Sequence, residues 1–365
     1  MKIGITLDMS IAFWANGMQQ NIVFLYSLLK QIPENDCYYI THKKPAYILN
    51  KKHQGMMLDD LMSEDGEVLD ALIIAGFDLL PEMYDKLKQR NPNIKIILIH
   101  FGNKLMDDIH YTVAPSNYKK QPITPPKYLS QIWISPHHEY GKEYIKTYYH
   151  HEDVRVIPYI WDPYFVQEKI KELKNKNLSP FFSAEKSRSV CVFEPNISHL
   201  KNCIIPVAIC ERFDSLHPDK LNAINVFSTD RIREKEYFSS LMKKFKIVQK
   251  KDFIFFNNRW GSLDALSKFG SIVVSHQINN ELNYSHFETL YLGLPLIHNS
   301  PRLESYGYYY PEFDVKMGAN QLMSAVLNHQ IVQQDYQRES REFLLPFSPY
   351  NQKNAGIYNL YLNDD

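Results

Sequence analysis

Ser275–Ser300, SHQINNELNYSHFETLYLGLPLIHNS, is the stretch that decides the fold. It opens at the end of the apolar run Ser271–Val274 and crosses a polar loop before a helical segment over Ser285–Leu292. Gly293 ends that helix, Pro295 bars its continuation, and Leu294–His298 reads as the next strand. Strand, loop, helix and strand in that order make a crossover unit, which parallel strands require. A helix that begins at the carboxyl edge of a strand turns unpaired N–H groups and its positive dipole end toward a ligand, a ready diphosphate site. Asn283, Tyr284 and Ser285 stand at this helix start. Glu288 follows, where its carboxylate can accept hydrogen bonds from two ribose hydroxyls. Ser285 and Glu288 also fit an S-x-x-E capping box, and on these residues alone both readings stay open.

The same alternation extends outward from this stretch. Upstream, strands are expected at Lys2–Leu7, Ala71–Ala75, Ile94–Ile99, Gln131–Ile134 and Val154–Ile157, all short, apolar and rich in β-branched residues. Helices are expected over Met18–Lys30, with Ile22, Leu25 and Leu29 on one face, over Pro81–Arg90 and over Tyr140–Tyr149. A polar, lysine-rich stretch at 168–188 interrupts the pattern. It resumes with strands at Val190–Phe193, Ala223–Phe227 and Phe253–Phe256, and a terminal helix is expected over Pro349–Leu362. A chain of 365 residues suits two domains. The expected division is 1–160 and 161–345, each a doubly wound α/β unit, followed by a C-terminal segment 346–365. Two such units imply a cleft between them, with ligands beyond the carboxyl ends of the strands.

The totals exclude several classes. Lysine plus arginine equals aspartate plus glutamate, 41 each, so no whole-protein field demands a polyanion. The local basic run Arg231–Lys251 reads as a solvated face. Cys37, Cys191, Cys203 and Cys210 form no C-x-x-C pair and sit in apolar stretches, as buried thiols do in a reducing compartment. The opening MKIGITLDMS is too short for a signal peptide, and no segment approaches the ~18 apolar residues of a membrane helix. A cytoplasmic protein is expected (host cytoplasm if phage-encoded), with peripheral membrane contact left open. No G-x-G, P-loop or G-x-S-x-G motif occurs, and no D-x-D that would hold a divalent metal against a diphosphate. The adjacent pairs His137–His138 and His150–His151 are expected to point apart, so no metal site is expected.

At this point the residues carry a resemblance. Glu288-T-L-Y-L-Gly293-L-Pro295 resembles the E-A-x-x-x-G-x-P segment of GT-B glycosyltransferases whose signature is two glutamates separated by seven residues. Glu288 falls on the second, ribose-binding glutamate; the first falls on Asn280, with Glu281 one residue later. Arg155-V-I-P-Y-I-W-Asp162 resembles that class's passage between domains. Glu194-P-N-I-S-H-L-Lys201 resembles its G-R-L-x-x-x-K-G phosphate loop, Lys201 matching the lysine and Asn196 standing at the arginine, whose role Arg259 is placed to supply. Trp14-A-Asn16-Gly17-M-Gln19-Gln20-Asn21 sits where the class has a glycine loop. More closely, the segments W-A-N-G-M-Q-Q-N, F-E-P-N-I, I-V-S-H, G-L-P-L-I-H-N-S and G-Y-Y-Y-P-E-F-D are similar to a little-characterised GT-B-like family of bacterial and phage proteins.

The resemblance implies a GT-B fold, two Rossmann-like domains facing a central cleft, with the C-terminal helix crossing back to the first. It implies a nucleotide-sugar co-substrate, UDP- or GDP-linked, no prosthetic group, no metal, and retention at the anomeric carbon. Lys201, helix N–H groups and Arg259 would neutralise the leaving diphosphate. Glu281 would lie near the transferred sugar, and the acceptor near Asn16–Asn21, with Gly17 among them, and the loop His100–Asn103. His100 would orient the acceptor hydroxyl, though it also reads as a structural histidine, and Lys201 as a surface lysine. Tyr306–Tyr310 would stack on a ring or pack a domain edge. The implied acceptor is a bacterial surface glycan. Two other readings stay open: sugar transfer to hydroxymethylated cytosine in duplex DNA, using the run 231–251 and the lysines of Asn117–Lys127, and a non-catalytic nucleotide- or sugar-binding protein. Nucleotide epimerases share the fold and would turn over donor without an acceptor. The oligomeric state is not legible.

Overall fold

The computed structural model describes residues 1–9, 17–43, 53–114 and 124–364. The chain forms two compact units, Met1–Asp162 with Pro346–Asp365, and Pro163–Leu345.

The first unit holds a seven-stranded parallel sheet in the order β3-β2-β1-β4-β5-β6-β7. Its first half runs β1 (Lys2–Thr6), α1 (Gly17–Leu29), β2 (Asp36–Thr41), β3 (Gly55–Met57), α2 (Leu58–Met62) and β4 (Ala71–Ile74). The second half runs α3 (Pro81–Arg90), β5 (Lys95–His100), α4 (Lys104–Val113), β6 (Gln131–Ile134), α5 (Lys142–Tyr149) and β7 (Val154–Val156). The central strands are apolar on both faces because helices cover both; all four residues of β4 and of β6 are buried. Two strands of this unit escape the sequence reading. β2 begins with Asp36 and carries two tyrosines, and β3 is a three-residue edge strand opened by a glycine. The expected helix over Tyr140–Tyr149 begins only at Lys142, because Pro136 starts a 3₁₀ turn that runs to Gly141.

The second unit holds six parallel strands in the order β10-β9-β8-β11-β12-β13. Its elements are α6 (Tyr164–Asn175), β8 (Ser189–Val192), α7 (Ile204–Leu216), β9 (Ala223–Val226), α8 (Glu236–Met242) and β10 (Ile254–Phe256). There follow α9 (Ser262–Lys268), β11 (Ile272–Val274), α10 (Tyr284–Tyr291), β12 (Leu296–His298), β13 (Tyr308–Tyr309) and the 30-residue α11 (Val315–Leu344). One face of the sheet packs Val190, Ile224, Val274 and Ile297 against Val207 and Phe213 of α7 and Leu322 of α11. Within the tyrosine run, Tyr308 and Tyr309 form the edge strand and Tyr310 is fully buried.

After α11 the chain rejoins the first unit as α12 (Gln352–Asn363). Tyr358 donates to the Pro158 carbonyl at 3.0 Å and packs edge-on against Trp133, 5.5 Å between ring centroids. Gln131 Nε2 donates to the Tyr361 carbonyl at 2.8 Å, and Arg155 pairs with Asp364 at 2.9 Å.

In each sheet the strand order reverses once, at β1/β4 in the first unit and at β8/β11 in the second. There the loops leave in opposite directions and open a crevice beyond the strands' carboxyl ends.

Candidate functional site

In the second unit the reversal brings two loops together, residues 193–203 after β8 and 275–283 after β11. Ile278 N donates to the Leu200 carbonyl at 2.9 Å and ties them. The first loop is shaped by Asn196, which has a positive φ of 53°, a conformation asparagine tolerates better than most residues. Its buried carboxamide donates to the carbonyls of Glu194, Phe227 and Ser228 and accepts from Cys203 N. Asn196, standing at the position of the phosphate-binding arginine, spends its side chain on the backbone of its own neighbourhood. Lys201, half-buried in the same loop, bridges to Ser198 and lies close enough for its charge to act on both Glu194 and His286.

Glu194 is the feature that sequence reasoning missed. It is 2 % exposed, two residues past the end of β8. One carboxylate oxygen accepts from Ser275 Oγ at 2.5 Å and from the His276 amide at 3.1 Å, the other from Gln277 Nε2 at 2.5 Å. Burial pushes this carboxyl up to about 7, against the opposing pull of the Ser275 hydroxyl, the His276 amide, the Lys201 charge and Gln277. Because Ser275 spends its proton on Glu194, the 2.8 Å contact between Ser275 Oγ and His286 Nε2 has the ring N–H donating. Tyr310 donates to the Ser275 carbonyl, so His276 Nδ1–H donates to the Tyr310 oxygen, both at 3.0 Å. His276 Nε2 and His286 Nδ1 are left as buried lone pairs with no partner. Burial holds His276 down to about 4 and His286 well below its usual range, so both rings are neutral at pH 7.

At the start of α10, Asn283 is the cap, its side chain accepting from Ser285 N at 3.0 Å while the Ser285 hydroxyl donates to the same oxygen at 3.1 Å. The S-x-x-E box does not form. Glu288 faces the start of α9 instead, and its Oε2 accepts from Ser262 Oγ at 2.9 Å. Desolvation raises the Glu288 carboxyl to about 7, with the Ser262 bond pulling it down. Tyr284 turns a buried ring into the unit, and Arg259 is exposed in the loop after β10, three residues before Ser262. Of the two candidates for the missing glutamate, Asn280 is buried with its Nδ2 donating to Gln277 Oε1 at 3.1 Å, whereas Glu281 is paired with Arg302 at 2.7 Å.

In the first unit, Asn16 lies outside the described residues, and Gly17 is the first residue of α1. His100 ends β5 with its ring 5.6 Å from that of Tyr149 and its Nε2 enclosed without a partner. Burial, helped by the Lys104 charge and opposed by Asp108, holds it down to about 4. Gln19, in the first turn of α1, is fully buried with both carboxamide atoms unpartnered. It lies within the segment W-A-N-G-M-Q-Q-N, near which the acceptor is expected.

No cluster of three or more His, Cys, Asp or Glu able to hold a metal ion occurs among the described residues. The His137 and His138 rings do not diverge: the 3₁₀ turn brings them together, tilted by 48°, with centroids 3.8 Å apart. Of the basic run, Lys250 pairs with the largely buried Asp214 at 2.7 Å and Arg233 with Glu234 at 3.3 Å. Lys119 and Lys120 lie outside the described residues. Among those described, no helix is long and apolar enough to cross a membrane.

Two parallel-sheet Rossmann-like units, the first completed by the C-terminal helix, make this a protein of the GT-B fold. Solved structures agree. Sucrose-phosphate synthase from Thermosynechococcus elongatus superposes with a TM-score of 0.57 at 12% identity, over 99% of this chain and 98% of that one. Anabaena HepE, solved with UDP and glucose, gives 0.54 at 10% identity over 100% of both chains. A mutant of S. aureus TarM, in complex with fondaparinux, alpha-GlcNAc-glycerol and UDP, gives 0.51 at 12% identity over 81% of this chain. The match spans 55% of TarM, little more than half of its length. Residues 3–362 match the family described as "Protein of unknown function (DUF2827)", and the chain belongs to that family. No curated protein matches it in sequence.

Proposed function

We propose that this protein is a glycosyltransferase that moves a sugar from a UDP- or GDP-linked donor to an acceptor hydroxyl. The observation that carries the reading is the set of groups at the β8/β11 reversal: Lys201 in one loop, the start of α10 at the end of the other, and Glu288 within that helix. The structures of HepE with UDP and glucose and of TarM with UDP support it, since those proteins place a uridine nucleotide on the same fold.

In this reading the donor diphosphate lies against Lys201 and the first turn of α10, and the ribose hydroxyls donate to Glu288. As the bond between the anomeric carbon and the phosphate oxygen breaks, negative charge grows on the departing diphosphate. Lys201, the α10 amides and Arg259 take that charge, so the transfer is proposed to run without metal. Asn283 and Ser285 fix where α10 begins, and Asn196 fixes the loop that carries Lys201. Glu281 is proposed at the rim of the sugar site, with Arg302 as its counter-ion. The acceptor is proposed to be a bacterial surface glycan, held by the first unit near Asn16, Gly17 and His100, with retention at the anomeric carbon.

The test is release of UDP from UDP-glucose or UDP-N-acetylglucosamine, and of GDP from GDP-mannose, in EDTA and then with Mg²⁺. Release from one donor in EDTA, stimulated by a glycan acceptor, is the expected result. Release that never exceeds the protein-free rate under any of these conditions would overturn the proposal.

A further inference from the structure

The bonds from Glu194 continue inward to the loop after β11 as a chain with one polarity. Gln277 Nε2 donates to Glu194, which leaves Gln277 Oε1 to accept from Asn280 Nδ2. Asn280 is thereby held with its N–H end turned inward and its carbonyl oxygen uncommitted to the chain. Two further bonds brace the backbone on either side. The Gln277 N–H donates to Asn299 Oδ1, and Asn299 Nδ2 donates back to the Gln277 carbonyl, each at 2.9 Å.

We propose that Glu194 is a positioning residue for the transfer: by accepting from Gln277 it sets the orientation of the Asn280 carboxamide, so that the Asn280 oxygen is the acceptor offered to a hydroxyl of the donor sugar. This rests on the glycosyltransferase reading for its consequence, but the polarity of the chain belongs to the protein alone. Only an acceptor at position 194 enforces it. A neutral amide at that position would present N–H to the N–H of Gln277 and force that side chain to flip. The flipped Gln277 would then turn N–H toward Asn280 and reverse it as well.

The charged and titratable groups around Glu194 are Lys201 from its own loop, Cys203 at the start of α7, His276 after β11, His286 on α10 and Tyr310 after β13. Burial keeps both histidines neutral and holds the Cys203 thiol and the Tyr310 hydroxyl up in their neutral forms. Among the described residues, Lys201 is then the one permanent charge acting on the carboxylate. The ionised form of Glu194 accepts all three of its donors, whereas the protonated form turns a proton toward one of them. The chain is therefore ordered above about 7 and loosens as pH falls through that value.

The experiment compares the full-length wild type, Glu194→Gln, Ser275→Ala and the double substitution Glu194→Gln with Gln277→Glu. The double substitution moves the carboxylate one step along and restores every donor–acceptor pair. Amide hydrogen exchange of unliganded protein over 275–283 is read first. Exchange is expected to be at least about tenfold faster in Glu194→Gln, intermediate in Ser275→Ala, and restored in the double variant. Release of UDP from saturating UDP-glucose is read second. The expected kcat of Glu194→Gln is down by about 100-fold with KM within a few fold, and the double variant recovers most of it. The wild-type kcat should fall below about pH 7, and that limb should vanish in Glu194→Gln. Exchange that is identical in wild type and Glu194→Gln, or a double variant no better than the single one, overturns the proposal. A wild type that releases no UDP or GDP overturns the glycosyltransferase reading instead, and exchange then still decides the role of Glu194.

Discussion

Glu288 Oε2 accepts a 2.9 Å hydrogen bond from Ser262 Oγ, joining α10 to the first residue of α9 across 26 positions of sequence. The bond keeps one oxygen of a desolvated carboxylate satisfied and leaves the other for a ligand. It also explains why Glu288 does not cap its own helix: the Asn283 side chain already accepts from the first turn.

Glu288 titrates near 7 because its surroundings remove water from the charge. Ribose hydroxyls donating to the carboxylate would favour the ionised form, so binding a nucleotide sugar should release a proton. Affinity should therefore weaken as pH falls through 7, approaching tenfold per unit below it, because a protonated Glu288 must first ionise. A nucleotide sugar is the ligand to use, since its diphosphodiester does not titrate in this range. Calorimetry at pH 5.5, 6.5 and 7.5 reads the slope, and Glu288→Gln should flatten it while weakening binding at pH 7.5.

Asn196 predicts a stability effect separable from binding. Replacing it with alanine removes partners from the carbonyls of Glu194, Phe227 and Ser228 and from Cys203 N, and leaves a β-carbon residue at φ 53°. A loss of roughly 1–3 kcal/mol is expected from the orphaned backbone groups. Glycine should recover the backbone conformation but not the hydrogen bonds, and aspartate should keep the Cys203 contact while losing the three donated ones. Urea denaturation of the three variants orders them directly.

The buried histidines set the acid side of the stability curve. His100, His276 and His298 are each held down to about 4, and His286 also lies well below its usual range. A depressed histidine stays neutral in the folded chain while the unfolded chain binds the proton, so stability falls as pH drops below about 6.5. Glu194 and Glu288 act oppositely. Raised to about 7, they hold protons in the folded state that an unfolded carboxyl gives up near 4.5, and stability from them is lost as pH rises between those values. With His329 also held down by burial, these histidines outweigh the two carboxyls, so stability should climb from pH 4.5 to about 6.5 and then decline slightly to about 7. Thermal unfolding across pH 4.5–8 reads this; a curve that falls steadily from pH 4.5 would contradict the assignment of neutral buried rings.

Much of the fold was legible because the central strands are continuous apolar runs. β4 and β6, buried on both faces, announce themselves as A-L-I-I and Q-I-W-I. β2 and β3 were not legible: D-C-Y-Y-I-T mixes a charge with half-buried tyrosines, and G-M-M is too short to show a period. The site divided in the same way. Lys201, Asn283 and Glu288 lie within local motifs whose spacing is visible. What Glu194, Asn196 and Ser262 touch depends on partners 81, 31 and 26 residues away, which no local pattern encodes. The S-x-x-E box failed because Asn283, two residues before Ser285, caps the helix, and Glu288 turned to Ser262 instead.

The most direct test of the central claim is calorimetric titration of metal-free protein with UDP and GDP, wild type beside Lys201→Ala. Binding of one nucleotide at micromolar strength in EDTA is predicted, weakened at least about tenfold in Lys201→Ala, as expected for removal of a charge-assisted phosphate contact. Equal affinity in the two proteins, or no binding of either nucleotide with or without Mg²⁺, would contradict the account.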